Sequence, residues 1–219
     1  VLEKRGSRLH LAALDRLDTH SEILPWLLRR IGKDACFVGL DAPVIVTNQS
    51  GMREADKLTH RLFGKQNGGA YPVHLGMDFM PGIAKLIGEF RQSGFATNLP
   101  VRAQANSRNL FEVYPHAASL RLFGLDKVLP YKKGKRAERL DALCKFQRLL
   151  GSGLRHRVPA FTSGQLPHAE GSLTELKAAE DRLDAVLCAY IAAHFWHWGL
   201  ARNNILGSEE AGYIVVPSF

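Results

Sequence analysis

The stretch SLTELKAAEDRLDAVLCAYIAAHFWHW, residues 172–198, decides how the rest of the chain is read. Ser172 followed three residues on by Glu175 spells a capping box, in which side chain and backbone satisfy each other's free donors at a helix start. Leu176, Leu183, Val186, Leu187, Tyr190 and Ile191 then recur at helical spacing, so one face of this helix is expected to be buried. At roughly 100° per residue, Asp184 falls beside the apolar stripe and Asp181 about 60° further round, which puts both carboxylates on one flank. Like charges one turn apart cost a few tenths of a kcal/mol unless a cation lies between them. A divalent metal is one such cation; solvent, with Arg182 or Lys177 as a screen, is the plainer alternative. Asp184, however, runs directly into the apolar DAVLCAY and belongs at the edge of a core, where a carboxylate needs a partner.

Working outward, residues 1–14 read as a hairpin: a strand, a Gly6-Ser7 turn, and the alternating RLHLAAL. Thr19 with Glu22 forms a second capping box, opening a helix that reaches Arg30 with Pro25 near its start. CFVGLDAPVIV is a near-continuous apolar run, which predicts a central strand covered on both faces, with Pro43 ending its pairing. Asp41 then stands at the carboxyl end of that strand, where open α/β sheets hold their ligands. Residues 48–106 are irregular around two helical segments, READKLTHRLF and a stretch from Pro81 to Gln92, and read as an insertion that covers the site. LFEVYPHA returns to strand character, with Leu110, Glu112 and Tyr114 on one face and Phe111 and Val113 on the other. YKKGKRAER, the densest basic run, leads into a helix carrying Leu140, Leu143, Phe146, Leu149 and Leu150. Residues 151–171 read as a polar connection, and the GYIVVP of the tail as a terminal strand. The alternation of elements predicts one α/β domain over residues 1–219 with a mixed sheet.

With 46% hydrophobic residues in 219, the chain can bury a substantial core. Its formal charge of +8 attracts acidic partners, nucleic acid first and an anionic membrane surface next. Cys36, Cys144 and Cys188 lie far apart in apolar runs, which excludes a disulfide framework or zinc knuckle and predicts reduced thiols in a cytoplasmic protein. No run is long and apolar enough to span a membrane, and no glycine-rich phosphate loop follows a strand.

Four segments, VGLDAPV, GMREAD, FEVYPHA, and EDRLDAVLCAY with GYIVVP, together resemble domain of unknown function 429, the predicted RNase H-like (RuvC-related) nuclease family, from about Arg8 to Pro217. The resemblance implies a mixed five-stranded sheet flanked by helices, with the helical insertion following the fourth strand. It implies that Asp41 takes the fourth-strand acid position and Asp181 and Asp184 the two positions on the last helix. These three would be ligands of two Mg2+ or Mn2+ ions that hydrolyse a phosphodiester bond, and Glu112, from the family's E-V-Y-P motif, would be a further catalytic acid or a support. The hairpin of residues 1–14 then matches the second and third strands. The first strand and its aspartate are therefore expected either to lie outside this sequence or to be lacking from the chain, and Asp15 and Asp18 fall at the wrong end of the third strand to replace it.

Among the remaining candidates, Arg53 could meet a phosphate or pair with Asp56 one turn on. Lys132, Lys133, Lys135 and Arg136 form a basic start to a helix whose dipole they oppose, which suggests phosphate contact as much as a solvated surface. His116 at the strand end could orient a water or cap a helix, and His74 reads as a loop histidine. Trp26, Trp196 and Trp198 read as packing residues. Three functions follow: a metal-dependent nuclease acting on RNA or DNA, a nucleic-acid-binding module that keeps the fold without catalysis, and a small-molecule phosphohydrolase or nucleotide-binding protein.

Overall fold

The computed structural model describes residues 1–99, 101–168 and 172–219. Its elements run β1 (Leu2–Arg5), β2 (Arg8–Leu11), α1 (His20–Ile31), β3 (Cys36–Leu40), α2 (Glu54–Phe63), α3 (Met80–Gln92), β4 (Arg108–Glu112), α4 (Pro115–Phe123), α5 (Arg136–Arg148), β5 (Ala160–Thr162), α6 (Leu173–Trp198), β6 (Asn203–Ser208) and β7 (Gly212–Pro217). The class is mixed α/β. The described strands form three small sheets: β1-β2-β5, with β1 and β2 antiparallel and β5 parallel to β2; the parallel pair β3-β4; and the antiparallel hairpin β6-β7. A parallel bridge between Val113 and Val215 ties the end of β4 to β7.

Helix α6 is the spine of the molecule. The Ser172 side chain accepts from the Glu175 N–H at 3.4 Å and the Ser172 N–H donates back to the Glu175 carboxylate, so the capping box is formed. Leu176, Leu183, Leu187, Tyr190, Ile191 and Phe195 have no exposed surface, each contributing roughly 1.5–3 kcal/mol of apolar burial. They pack with Phe146 of α5, Phe161 of β5, and Phe111 of β4, whose ring meets Phe195 edge-on at 4.9 Å. The closest approach is to β3: a Cβ on Gly39 would lie 2.7 Å from the Cys188 carbonyl oxygen, so only glycine lets helix and strand meet there.

Strand β3 departs from its expected central place. All five of its residues are half-buried, and β4 is the one described strand that pairs with it. One face lies under α6, and Cys36, Val38 and Leu40 face a second core built by α1 and α3. The free edge leaves the apolar run short of full burial. Two strands and a helix come from segments that read otherwise. β5 lies in the polar connection, β6 completes a hairpin with the expected β7, and α4 starts at Pro115, where a pre-set φ suits a first helical turn. The helices of residues 48–106 divide their packing: α2 lies against the β6-β7 hairpin and α3 against α1.

Candidate functional site

The parallel register pairs Leu40 with Glu112, so the chain leaves β3 and β4 at the same level. The Val113 N–H still donates to the Leu40 carbonyl at 3.0 Å, and Asp41 follows at the strand's carboxyl end. Across from it, α6 presents Asp184, 7% exposed. The Tyr131 hydroxyl donates to Asp184 Oδ1 at 2.7 Å, and the Lys132 ammonium lies 2.9 Å from Oδ2. Lys132 is also within electrostatic reach of Asp41, and so is Asp184. Asp41 is itself exposed to solvent, but atoms packed around its carboxyl raise it to about 6, with Lys132 opposing the rise and Asp184 adding to it. Against its own partial burial, Lys132 is held protonated by Asp184 and then Asp41. Burial, followed by the Asp184 charge, drives the Tyr131 hydroxyl far up, so it stays a donor.

His116, from the first turn of α4, completes the cluster. Burial and the nearby Lys132 charge lower it to about 4, which leaves a neutral imidazole at pH 7. Its Nδ1 lies 3.4 Å from the Tyr114 hydroxyl, which itself donates to the Gly69 carbonyl at 3.1 Å. Its Nε2 is buried with no protein partner among the described residues. Tyr114 is raised to about 12 by burial, then by Asp41 and Tyr71.

The other acids stand apart. Glu112 is 5% exposed and clamped by Arg53, which donates from Nη1 to Oε2 at 2.7 Å and from Nη2 to Oε1 at 2.6 Å. Arg53 also holds Asp56 at 2.7 Å and the Ile45 carbonyl at 3.0 Å, and Glu112 accepts the Val44 N–H at 3.1 Å. This triad pins the loop that carries Asp41. Burial raises Glu112 to about 7 while Arg53 pulls the other way. Asp181 points outward, 46% exposed, paired with Lys177 at 2.7 Å. Lys133 lies over the Tyr71 ring with its ammonium 3.5 Å from the phenol oxygen, and Lys135 and Arg136 are exposed at the start of α5. His74 is half-buried in the loop between α2 and α3.

Sequence reading passed over Tyr131 and Glu180. The second is 2% exposed and bound by Lys177 at 2.6 Å and Arg139 at 3.5 Å. Its signal was present: at four residues it lies about 40° from Asp184, closer to the buried stripe than Asp181 does. Among the described residues no three His, Cys, Asp or Glu side chains converge closely enough to hold a metal. Asp41 and Asp184, which lie within electrostatic reach of each other, are oxygen donors of the kind Mg2+ takes alongside water and substrate phosphate. Among the described residues the acid set for two ions is not drawn together.

Fold and site together define an α/β protein with a carboxylate pair, countered by a lysine, at the carboxyl ends of two parallel strands. The chain belongs to the family described as Protein of unknown function (DUF429), whose model matches residues 1–207. No curated protein and no solved structure matches it. No helix among the described residues is long and apolar enough to cross a membrane.

Proposed function

We propose that this protein is a metal-dependent nuclease with an RNase H-like core, hydrolysing phosphodiester bonds of nucleic acid at the Asp41/Asp184 site. The observation that carries the reading is that Asp41, at the carboxyl end of β3, and Asp184 on α6, 143 positions apart in the sequence, lie within electrostatic reach of each other and of Lys132. The parallel β3-β4 pair crossed by α6, with the β1-β2 hairpin beside it, supports an RNase H-like sheet. A bound Mg2+ or Mn2+ would supply Lewis-acid stabilisation and an activated water. Asp41 and Asp184 would be its protein ligands. Asp181, one turn away on the same helix and paired with the surface Lys177, is the acid a second ion would recruit. The neutral His116 imidazole, with its free Nε2, can hold a water or carry a proton, and Lys132 and Lys133 can meet phosphate oxygens. Glu112 acts through Arg53 on the Asp41 loop.

The second reading is a nucleic-acid-binding module without catalysis. It is favoured by the Lys132 ammonium on Asp184 and by the outward turn of Asp181. Labelled single-stranded RNA, single-stranded DNA and a branched junction, each incubated with Mg2+, Mn2+ or EDTA, separate the two. The nuclease reading expects cleavage with metal only, abolished in Asp41→Asn and Asp184→Asn while binding persists. Salt-sensitive binding with no cleavage under any ion would establish the module instead.

A further inference from the structure

Both Asp184 oxygens are already engaged, one by the Tyr131 hydroxyl and one by the Lys132 ammonium. The lysine is no rim charge, since its side chain is 34% exposed and its partner's 11%. A divalent ion seeking the Asp184 oxygens meets a cation already there, and two cations on one carboxylate oxygen repel strongly away from bulk water. The two contacts differ in freedom. Tyr131 is 2% exposed, its ring stacked on Phe146 at 4.9 Å and 10°, so its hydroxyl is fixed. Lys132 has a flexible four-carbon stem, and two residues on the chain turns at Gly134, φ +109. The neighbouring Lys133 lies over Tyr71 instead, with no ion pair to Asp184 among the described residues.

We propose that Lys132 and a divalent cation are alternative occupants of the Asp41/Asp184 carboxylates, so that Lys132 releases Asp184 on ion binding and presents its freed ammonium to a substrate phosphate. The idea rests on the metal-site reading above and adds a gate to it. At rest the lysine keeps two like charges compatible, and on loading it becomes a phosphate contact beside them. By linkage, whatever removes the lysine must tighten the ion, and the ion must weaken the lysine contact by the same factor.

Mn2+ binding, followed through the electron paramagnetic resonance signal of the free ion without nucleic acid, tests this on the wild type, Lys132→Gln, Lys132→Arg and Asp184→Asn, each checked by thermal melting. Lys132→Gln should bind Mn2+ roughly ten-fold more tightly than the wild type, a typical coupling between mutually exclusive ligands. Lys132→Arg should bind no more tightly than the wild type. In the wild-type protein, which needs no substitution to fold, acetylation of Lys132 followed by mass spectrometry should accelerate when Mn2+ is added, with Lys145 on α5 as the internal reference. Equal or weaker Mn2+ binding by Lys132→Gln, or unchanged acetylation of Lys132, overturns the gate. Asp184→Asn binding Mn2+ as well as the wild type overturns the underlying site as well, so the two failures are told apart.

Discussion

Arg53 carries more of the site's architecture than its place in a loop suggests. Its guanidinium satisfies Glu112, Asp56 and the Ile45 carbonyl at once, in surroundings that leave Arg53, Asp56 and Glu112 each 5% exposed or less as whole residues. Removing one member of such a group leaves the others as uncompensated buried charges. Arg53→Met should therefore lower stability by about 3–5 kcal/mol in urea unfolding. The sign of its pH dependence follows from Glu112, whose carboxyl burial already raises to about 7. A raised carboxyl binds its proton more tightly in the folded state, so the loss should be larger at pH 8 than at pH 5.5. A loss that does not depend on pH would remove Glu112 from the explanation. Glu112→Gln separates support from ligand: the unfolding midpoint should fall, and Mn2+ affinity should fall far less than in Asp184→Asn because only the order of the Asp41 loop is affected. At this scale the sequence was half legible. Asp184 and Asp41 could be found because each borders an apolar run at a strand or helix position with a defined outlook. Glu112 was ambiguous because a strand places a side chain on a face without saying which distant cation meets it. Arg53 supplies that cation from 59 positions away.

Among elements, α6 sets the tolerances of the core. The Gly39 contact puts a backbone carbonyl where a side chain would go, and a carbonyl within a hydrogen-bonded helix cannot swing aside. Gly39→Ala should destabilise by about 1–3 kcal/mol through overpacking, read as a lower melting temperature; an unchanged melt would mean that β3 can shift away from α6. Further along the helix, His194 is wholly buried, with Nδ1 3.0 Å from Asn203 Oδ1 and Nε2 without a partner among the described residues. Burial lowers it to about 4 despite the asparagine. A depressed histidine binds fewer protons folded than unfolded, so its contribution is complete above its ordinary value near 6.5 and is lost as pH falls through about 4. The protein should lose on the order of 2–3 kcal/mol between pH 7 and pH 4 through this group. His194→Gln, which cannot titrate, should flatten the profile of stability against pH in that window. The helix itself was readable from its capping box and periodicity. β5 and β6 were not, because strands of three and six residues without clear alternation take their identity from partners, β5 from β2 and β6 from β7.

For the whole molecule, the surplus charge of +8 is a statement about association rather than about fold, and the structure gives it a direction. A groove of about 580 Å³ is lined by Lys4, Arg8 and Arg157 with Trp196 and His197, and no acid among the described residues lines it. It lies near the carboxyl end of α6, roughly 20 Å down the helix from Asp184 at about 1.5 Å per residue. His197 feels that surplus directly, being lowered by burial and then by the Lys4 charge. A polyanion long enough to reach the carboxylate pair would thus meet Lys4, Arg8 and Arg157 near the carboxyl end of the same helix. This groove could not be assigned from the sequence, unlike the basic run of residues 132–136, since Lys4, Arg157 and His197 come from three separate segments that only the packing of β1 and β5 against α6 brings together. Binding of a fluorescent single-stranded oligonucleotide in EDTA should accordingly weaken linearly on a log–log plot against salt, with a slope of about −0.7 per phosphate neutralised. Reversing Lys4 and Arg157 to glutamate should make that slope shallower by about 1.4, the share of two phosphates, while Lys132→Gln changes it little because that ammonium is occupied by Asp184 until an ion arrives. A slope that is flat in the wild type, or the same in the double reversal, would mean that the positive charge of this molecule does not serve nucleic acid, and the nuclease reading would then have to find its substrate among small phosphodiesters.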